Sequence, residues 1–324
     1  MSRLFLGASK IETYQQCPRK YRLQYVDQMK APKPTAMIVG TAVHTGVESL
    51  HQGRPVEVAI ENATARAKAS TSKEYDNQMT PAQINDQTAK LIRTYDRHAE
   101  KLKYDGIEEE FEIPGDKVVL TGTIDATADG HKTVIELKTA KTPWNQPRAD
   151  FSTQPTVYAF NSHYVHKITE PIRILYRILV KPIIRQLIHK DLKNPDGKPL
   201  ADQTKKWNDL ARAYTDFTQG KSLDSAIGIA DEFSKLTQKT AEEAVNAAIL
   251  KVNEVDAGRL QEIETVRTPE HFGHLVTIIN GVAAGIRAES FPRHITPLCA
   301  YCQFKQVCLG AGYGQPPDNG NGET

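Results

Sequence analysis

Three residues in the middle of the chain have the types and spacing for metal-assisted hydrolysis. In Val134-Ile135-Glu136-Leu137-Lys138, strand alternation puts Glu136 and Lys138 on one face and Ile135 and Leu137 on the other. Asp125 ends the preceding apolar stretch, and a hairpin turn at Asp129-Gly130 brings it beside Glu136. Two carboxylates offer the hard oxygen ligands that Mg²⁺ or Mn²⁺ prefers. Such an ion activates water and neutralises charge developing on a phosphate. A neighbouring ammonium orients that water and stabilises the transition state. The plain alternative is a surface strand carrying a Glu-x-Lys pair. Against it, Val118, Val119, Leu120 and Ile124 mark the hairpin as part of a buried sheet, where charged groups need partners or a task.

The four cysteines are the second chemical set. Cys299-Ala300-Tyr301-Cys302 is followed by Cys308, and Cys17 lies near the other end of the chain. A chain of 324 residues with four cysteines is no disulfide scaffold. A CxxC redox pair leaves Cys17 and Cys308 unexplained. Four thiolates hold either structural zinc or an iron–sulfur cluster, and spacing does not separate the two.

The elements that must position these groups are readable in outline. Ser9-Lys10-Ile11-Glu12 reads as a capping box, with Pro18 ending that helix early, and Thr80-Pro81-Ala82-Gln83 reads as another. Ile84, Leu91, Ile92, Tyr95 and Leu102 extend the second helix to about residue 103, where Gly106 stops it. Residues 107–113, 118–125 and 133–138 change to strand period, separated by Pro114-Gly115-Asp116 and Asp129-Gly130. A helix is expected near Phe151–Tyr164 and a strand at Ile172–Val180. Most of 201–290 reads as helix, with Thr268-Pro269 as a further start, and the Gly- and Pro-rich tail from Gly310 reads as disordered.

Hydrophobic residues at 39% and charged residues at 25% are globular values, which excludes a fibrous or wholly disordered chain. The formal net charge of +2 hides alternating blocks. Residues 1–30 carry six Lys/Arg against two acids, 106–136 carry eight acids against two lysines, and 167–206 carry ten basic residues against four acidic. No apolar run approaches membrane-spanning length and the N-terminus lacks a signal-peptide core, so a cytoplasmic protein with no membrane partner is expected. Gly220-Lys221-Ser222 lacks the first glycine and the strand of a phosphate-binding loop, and reads as a turn. His163 and His166, and His271 and His274, have no evident carboxylate pattern around them and read as solvated or capping residues. Tyr14, Tyr21 and Tyr25 are open to two readings, DNA contact or core packing.

Taken in order, these residues resemble a known family. Gly122-Thr123-Ile124-Asp125, ten residues, then Glu136-Leu137-Lys138 is similar to the PD-(D/E)xK nuclease motif in its RecB-like exonuclease branch. Gly40-Thr41-Ala42-Val43-His44 resembles the upstream GxxxH motif of that branch, and Gln154-Pro155-Thr156-Val157-Tyr158 its QxxxY motif. Pro155 departs from the apolar unbranched residue usual there, although a first helical turn tolerates proline. Ser9, Ile11, Tyr14, Cys17, Pro18 and Tyr21 resemble the N-terminal signature, so the match runs from residue 9 to residue 308.

The resemblance implies an α/β restriction-endonuclease-like core, a mixed central sheet flanked by helices, with a helical cluster-bearing lobe made from both chain ends. It implies a metal site of His44, Asp125, Glu136 and the Leu137 carbonyl, with Lys138 assisting the attacking water and Gln154 and Tyr158 positioning substrate or Lys138. It also breaks the tie between zinc and cluster. Cys17, Cys299, Cys302 and Cys308 match the set that binds a [4Fe-4S] cluster in the iron–sulfur subfamily, which includes the AddB nuclease domain and CRISPR-associated RecB-like exonucleases. The implied organisation is 1–30 as the first part of the cluster lobe, 31–105 as a helical segment with GxxxH, and 106–184 as the nuclease core. A mainly helical segment (185–290), the second part of the lobe (291–309) and the tail (310–324) follow. The implied activity is a metal-dependent exonuclease on single-stranded DNA or DNA ends, alongside recombination, repair or replication proteins, with the basic segments 1–30 and 167–206 tracking the phosphate backbone. Two alternatives are a non-catalytic iron–sulfur recruitment subunit and a CRISPR spacer-processing nuclease working with adaptation proteins.

Overall fold

The structure, a computed structural model, describes residues 3–181 and 258–310. The chain enters as a short strand, β1 (Leu4–Gly7), and passes straight into helix α1 (Ala8–Gln16). Ser9 and Glu12 therefore lie inside the helix, whose N-cap is Gly7, and the Ser9–Glu12 capping box expected from sequence does not form. Glu12 Oε1 instead accepts from the backbone N–H of Gln154 at 3.2 Å. Extended backbone at Cys17 ends α1, and Pro18 opens the short helix α2 (Pro18–Tyr21).

Helices α3 (Thr35–His51), α4 (Val56–Thr71) and α5 (Pro81–His98) form a three-helix layer. Thr80 caps α5 as expected: the Gln83 N–H donates to Thr80 Oγ1 at 3.3 Å and the Thr80 N–H to Gln83 Oε1 at 2.8 Å. The helix stops at His98 instead of reaching residue 103, and Gly106 lies within the next strand. Arg177 accounts for the early stop. Its guanidinium donates to the Glu100 carbonyl and to the Tyr95 hydroxyl, both at 2.8 Å, and so draws the chain out of the helix.

The three expected strands form as β2 (Tyr104–Pro114), β3 (Val118–Ala128) and β4 (Thr133–Ala140). The four residues 129–132 turn the hairpin, with Asp129, Gly130 and His131 at φ of 57°, 65° and 61°. Two helices follow, α6 (Gln146–Asp150) and α7 (Thr153–Tyr164), then β5 (Ile172–Val180). Arg259–Arg267 is a strand, β6, and not part of a long helix. All of Arg259–Arg267 pairs antiparallel along the whole of β5, from Ile172↔Arg267 to Val180↔Arg259. Thr268 then starts α8 (Pro269–Arg287), and a 3₁₀ turn (Pro297–Tyr301) and α9 (Lys305–Leu309) are the last elements among the described residues. The turn expected at Gly220-Lys221-Ser222, the tail expected to be disordered and most of the helix expected over 201–290 lie outside the described residues.

The six strands make one mixed sheet in the order β1-β3-β4-β5-β6, with β2 on the other edge of β3. Strand β3 is shared end to end. Its first part pairs parallel with β1 as far as Thr121, and its last part pairs antiparallel with β4 from Ala126. Between Thr121 and Ala126 that edge of β3 has neither neighbour, and Asp125 sits at the gap. The sheet is covered on both faces. Helices α1, α7 and α8 enclose a core with Leu6, Ile11, Ile124, Val134, Val157, Tyr176 and Leu275, while α3, α4 and α5 pack over Leu137 and Leu179. This is the mixed α/β architecture, central mixed sheet flanked by helices, that the sequence led us to expect. Among the described residues, no helix is long and apolar enough to cross a membrane.

Two features joining the chain ends follow from aromatic packing. Tyr14 donates to the Ser290 carbonyl at 2.7 Å, and Tyr21 stacks on Phe291 at 6.3 Å between ring centroids. Tyr14 and Tyr21 thus work as packing residues between the N-terminal helices and the chain after α8.

Candidate active site

Strand alternation delivers Glu136 and Lys138 to the face carrying Val134, under α7, and Leu137 to the opposite face, under α3. Where β3 and β4 part, the Leu137 N–H has no ladder partner on β3. The Asp125 carboxylate takes its place, accepting from that N–H at 2.7 Å through Oδ2. The other Asp125 oxygen meets His44 Nδ1 at 3.1 Å, so α3 is tied to the gap in the sheet.

Glu136 is fully buried, at 0% exposure. Its Oε1 faces the Lys138 ammonium, and its Oε2 has no hydrogen-bond partner among the described residues. Lys138 Nζ also donates to Gln154 Oε1 at 2.7 Å, and Gln154 Nε2 donates to the Tyr158 hydroxyl at 2.7 Å. Gln154 and Tyr158 are one turn apart on α7, which is why the spacing brings them together. Pro155 sits in the first turn, where its missing N–H leaves no helical bond unmade.

The charges are set by burial and by one another. Burial alone would raise the Asp125 carboxyl, but His44, the Leu137 N–H and Lys138 outweigh it and hold that carboxyl below its ordinary value. Burial raises the Glu136 carboxyl, with Lys138 opposing and Asp125 reinforcing. Burial works to lower His44, and Asp125 overcomes it and raises the imidazole. The Lys138 ammonium is likewise raised by Glu136 against burial.

Sequence reasoning missed two residues. Glu108 brings its carboxylate to within 4.8 Å of donor atoms of both His44 and Asp125. Burial and the Asp125 charge raise its carboxyl to about 7. The available signal was register: Ile107 pairs with Ala126 and Glu109 with Ile124, which sets Glu108 across from Asp125. Glu108 itself adopts φ of 48°, a left-handed conformation inside a strand, and only tertiary structure reveals that. Glu12 is the second. It caps the α7 N-terminus and adds a negative charge near Lys138, and its apparent capping role in α1 concealed this.

The His44 imidazole and the Glu108 and Asp125 carboxylates, with donor atoms within 4.8 Å of one another, form a donor set that fits a divalent cation of the Mg²⁺ or Mn²⁺ type; Glu136 is not one of these three, although its buried carboxylate has an oxygen without a hydrogen-bond partner. Elsewhere, Cys17, Cys299, Cys302 and Cys308 all line one pocket, together with Lys20, Arg293 and Lys305. All four cysteines are free thiols.

A sequence model of the PD-(D/E)XK nuclease superfamily matches residues 6–309. The chain belongs to this superfamily. Its members are nucleases that hydrolyse phosphodiester bonds, typically with divalent metal. No curated protein matches the chain. Among solved structures, Rai1 of Scheffersomyces stipitis, in complex with (3'-NADP)+ and calcium ion, is similar at 10% identity over 68% of this chain and 69% of that chain. With a TM-score of 0.18, that likeness is too slight to bear on fold or activity.

Two further expectations change. Of the basic block 167–206, Arg173 is paired with Glu264, and Arg177 is 0% exposed and bonded to Glu262 at 2.9 Å. Burial takes Arg177 away from a phosphate backbone, and residues 182–206 of the block lie outside the described residues. His166 is not a solvated residue without a carboxylate neighbour, since its Nε2 lies 2.8 Å from Glu109 Oε1. His271 does cap, receiving the Thr268 N–H at 3.1 Å.

Proposed function

We propose that this superfamily member is a divalent-metal-dependent DNA exonuclease acting on single strands or DNA ends. The observation that carries the reading is the fully buried Glu136 carboxylate, with one oxygen against Lys138 and the other unpartnered. A buried charge left half-satisfied is costly, and in a nuclease fold it marks a place for a cation. His44, Asp125, Glu136 and the Leu137 carbonyl would hold the metal, with Glu108 as a further carboxylate. When bound, the metal supplies charge neutralisation at the scissile phosphate and lowers the pKa of a water.

The chain's own groups do the rest. Lys138, held by Gln154 and Glu136, orients the attacking water and offsets negative charge on the phosphate oxygens. Tyr158 fixes the Gln154 amide so that its carbonyl points at Lys138. His44 steadies Asp125, which in turn ties the β3 and β4 ends together through the Leu137 N–H. The exposed basic residues of 1–30 supply backbone contacts, which makes DNA binding salt-sensitive.

The four cysteines would hold a [4Fe-4S] cluster. Four thiolates around one pocket with Lys20, Arg293 and Lys305 suit an anionic centre. It would close a loop of 282 residues (299 − 17) and hold the two chain ends in the packing that Tyr14, Tyr21 and Phe291 already define. Digestion of 5′- and 3′-labelled single- and double-stranded DNA with Mg²⁺ and with Mn²⁺ tests the activity. Loss of label progressing from one end supports it; no cleavage with either metal overturns it.

A further inference from the structure

A second constellation, sharing no residue with the nuclease site, lies at one end of the sheet. Glu109 of β2, His131 of the β3–β4 turn and His166, just beyond α7, bring donor atoms within 4.8 Å of one another. Glu109 Oε1 is 2.8 Å from His166 Nε2, and Glu109 Oε2 is 3.5 Å from His131 Nδ1. The two imidazoles lie parallel, 3.6 Å between centroids and 10° between planes. Donors in a tetrahedral site with bonds of about 2.0–2.1 Å stand roughly 3.3 Å apart, so the three donor atoms are close enough for one ion, which the two rings reach by turning out of their parallel stack.

The surroundings are built around Glu109. A Cβ at position 106 would collide with Glu109 Oε2 and stand 2.9 Å from Thr127 Oγ1, so Gly106 leaves the room the carboxylate occupies. Fully buried Thr127 donates to Glu109 Oε2 at 3.4 Å and so orients that carboxylate; its contact with His131 Nδ1 at 3.0 Å is one that a bound ion would replace. Asn161 is 0% exposed; its Nδ2 donates to Glu109 Oε1 at 3.4 Å, and its Oδ1 has no partner among the described residues. Asp105 Oδ2 accepts from the Gly130 N–H at 2.6 Å and the His131 N–H at 3.1 Å, which fixes the turn that presents the ring.

We propose that Glu109, His131 and His166 form a second metal site, for a zinc-type divalent cation. Two imidazole nitrogens, borderline donors, beside a single carboxylate oxygen favour Zn²⁺ and Co²⁺ over Mg²⁺. The partial exposure of all three side chains leaves room for water to complete the coordination. The bound ion cross-links β2, the hairpin turn and the end of α7, the helix that carries Gln154 and Tyr158. None of the three ligands belongs to the nuclease site, so this site stands or falls separately from the proposed activity.

The test uses the full chain with its cysteine centre loaded and Asp125→Ala to weaken metal binding at the nuclease site. Addition of Zn²⁺ raises its thermal midpoint by several degrees, and Co²⁺ gives visible d–d bands without thiolate charge transfer. His166→Gln, and His131→Asn, which keeps a residue tolerant of the left-handed φ of 61°, abolish both responses. A zinc response that survives in both histidine variants overturns the site, as does the absence of any response in the Asp125→Ala protein. Co²⁺ bands with thiolate charge transfer alone would assign the response to the cysteines and overturn it equally. Should a histidine variant fold poorly, zinc-edge X-ray absorption on the Asp125→Ala protein decides, with imidazole scattering supporting the site and a sulfur-only shell refuting it.

Discussion

Lys138 Nζ on strand β4 donates to Gln154 Oε1 on helix α7 at 2.7 Å, so a lysine with four rotatable bonds is fixed from outside its own strand. The second constraint is Glu136, and the two together aim the ammonium at the gap between β3 and β4. Gln154→Ala removes the clamp without touching the carboxylates. Single-turnover cleavage should fall about 10- to 100-fold, as for other groups that orient a catalytic residue, while DNA affinity changes little. Tyr158→Phe should cost less, because it loosens only the Gln154 amide. Equal losses of rate and of DNA affinity would instead place Gln154 in substrate binding.

Glu108 and Glu109 are consecutive on β2 yet serve different clusters, Glu108 with His44 and Asp125, Glu109 with His131 and His166. Glu108→Gln should weaken Mn²⁺ binding in calorimetry while leaving the Zn²⁺ response of the second cluster intact. The pH dependence has a definite sign. The Glu108 carboxyl titrates near 4.5 when unfolded and at about 7 when folded, so between these values the folded state holds the extra proton. Stability from this group is full below about 4.5 and is lost as pH rises through about 7. Glu136 and His44, also raised, act in the same direction. The metal-free protein should therefore melt lower as pH rises across this window, and less steeply in Glu108→Gln. Mn²⁺ affinity should rise over the same window, since the metal displaces the proton.

Gly122 lies between Phe111 and Tyr158, where a Cβ would stand 2.6 Å from Phe111 Cζ and 3.2 Å from Tyr158 Cε1. Gly122→Ala should destabilise the fold by about 1–3 kcal/mol through overpacking. It should also lower cleavage, because Tyr158 must move and takes Gln154 with it. Chemical denaturation measures the first effect, and an unchanged midpoint would show that the Phe111 ring yields freely.

Cys308→Ser should remove the broad visible absorbance and the iron of protein purified anaerobically. Stoichiometric zinc and no iron in the parent protein would contradict the cluster and favour the zinc alternative.

The sequence carried much of this in its strand periods and spacing. Asp125, Glu136 and Lys138 were readable because a period of two residues fixes which side chains share a face. His44 and the Gln154–Tyr158 pair came only from the resemblance of their motifs to those of the RecB-like branch, since their spacing alone reads as ordinary helix. Tertiary pairings hid the remainder. Arg259–Arg267 follows an Ala-rich stretch of helical character, and only the pairing with β5 makes it a strand. Glu12 looked like a local cap because its true partner, the Gln154 N–H, is 142 residues away. Arg177 looked like a phosphate contact by its charge, and its 0% exposure removes it from that role. The carboxylate facing His166 comes from a strand 57 residues earlier, which no local pattern discloses.

The most direct test compares parent, Asp125→Ala and Lys138→Ala protein on end-labelled single-stranded DNA with Mn²⁺ under single-turnover conditions, with DNA binding measured in parallel. The account predicts progressive removal of nucleotides by the parent, no detectable cleavage by either variant, and DNA affinity retained in both. Cleavage by the variants at the rate of the parent would contradict the assignment of this site.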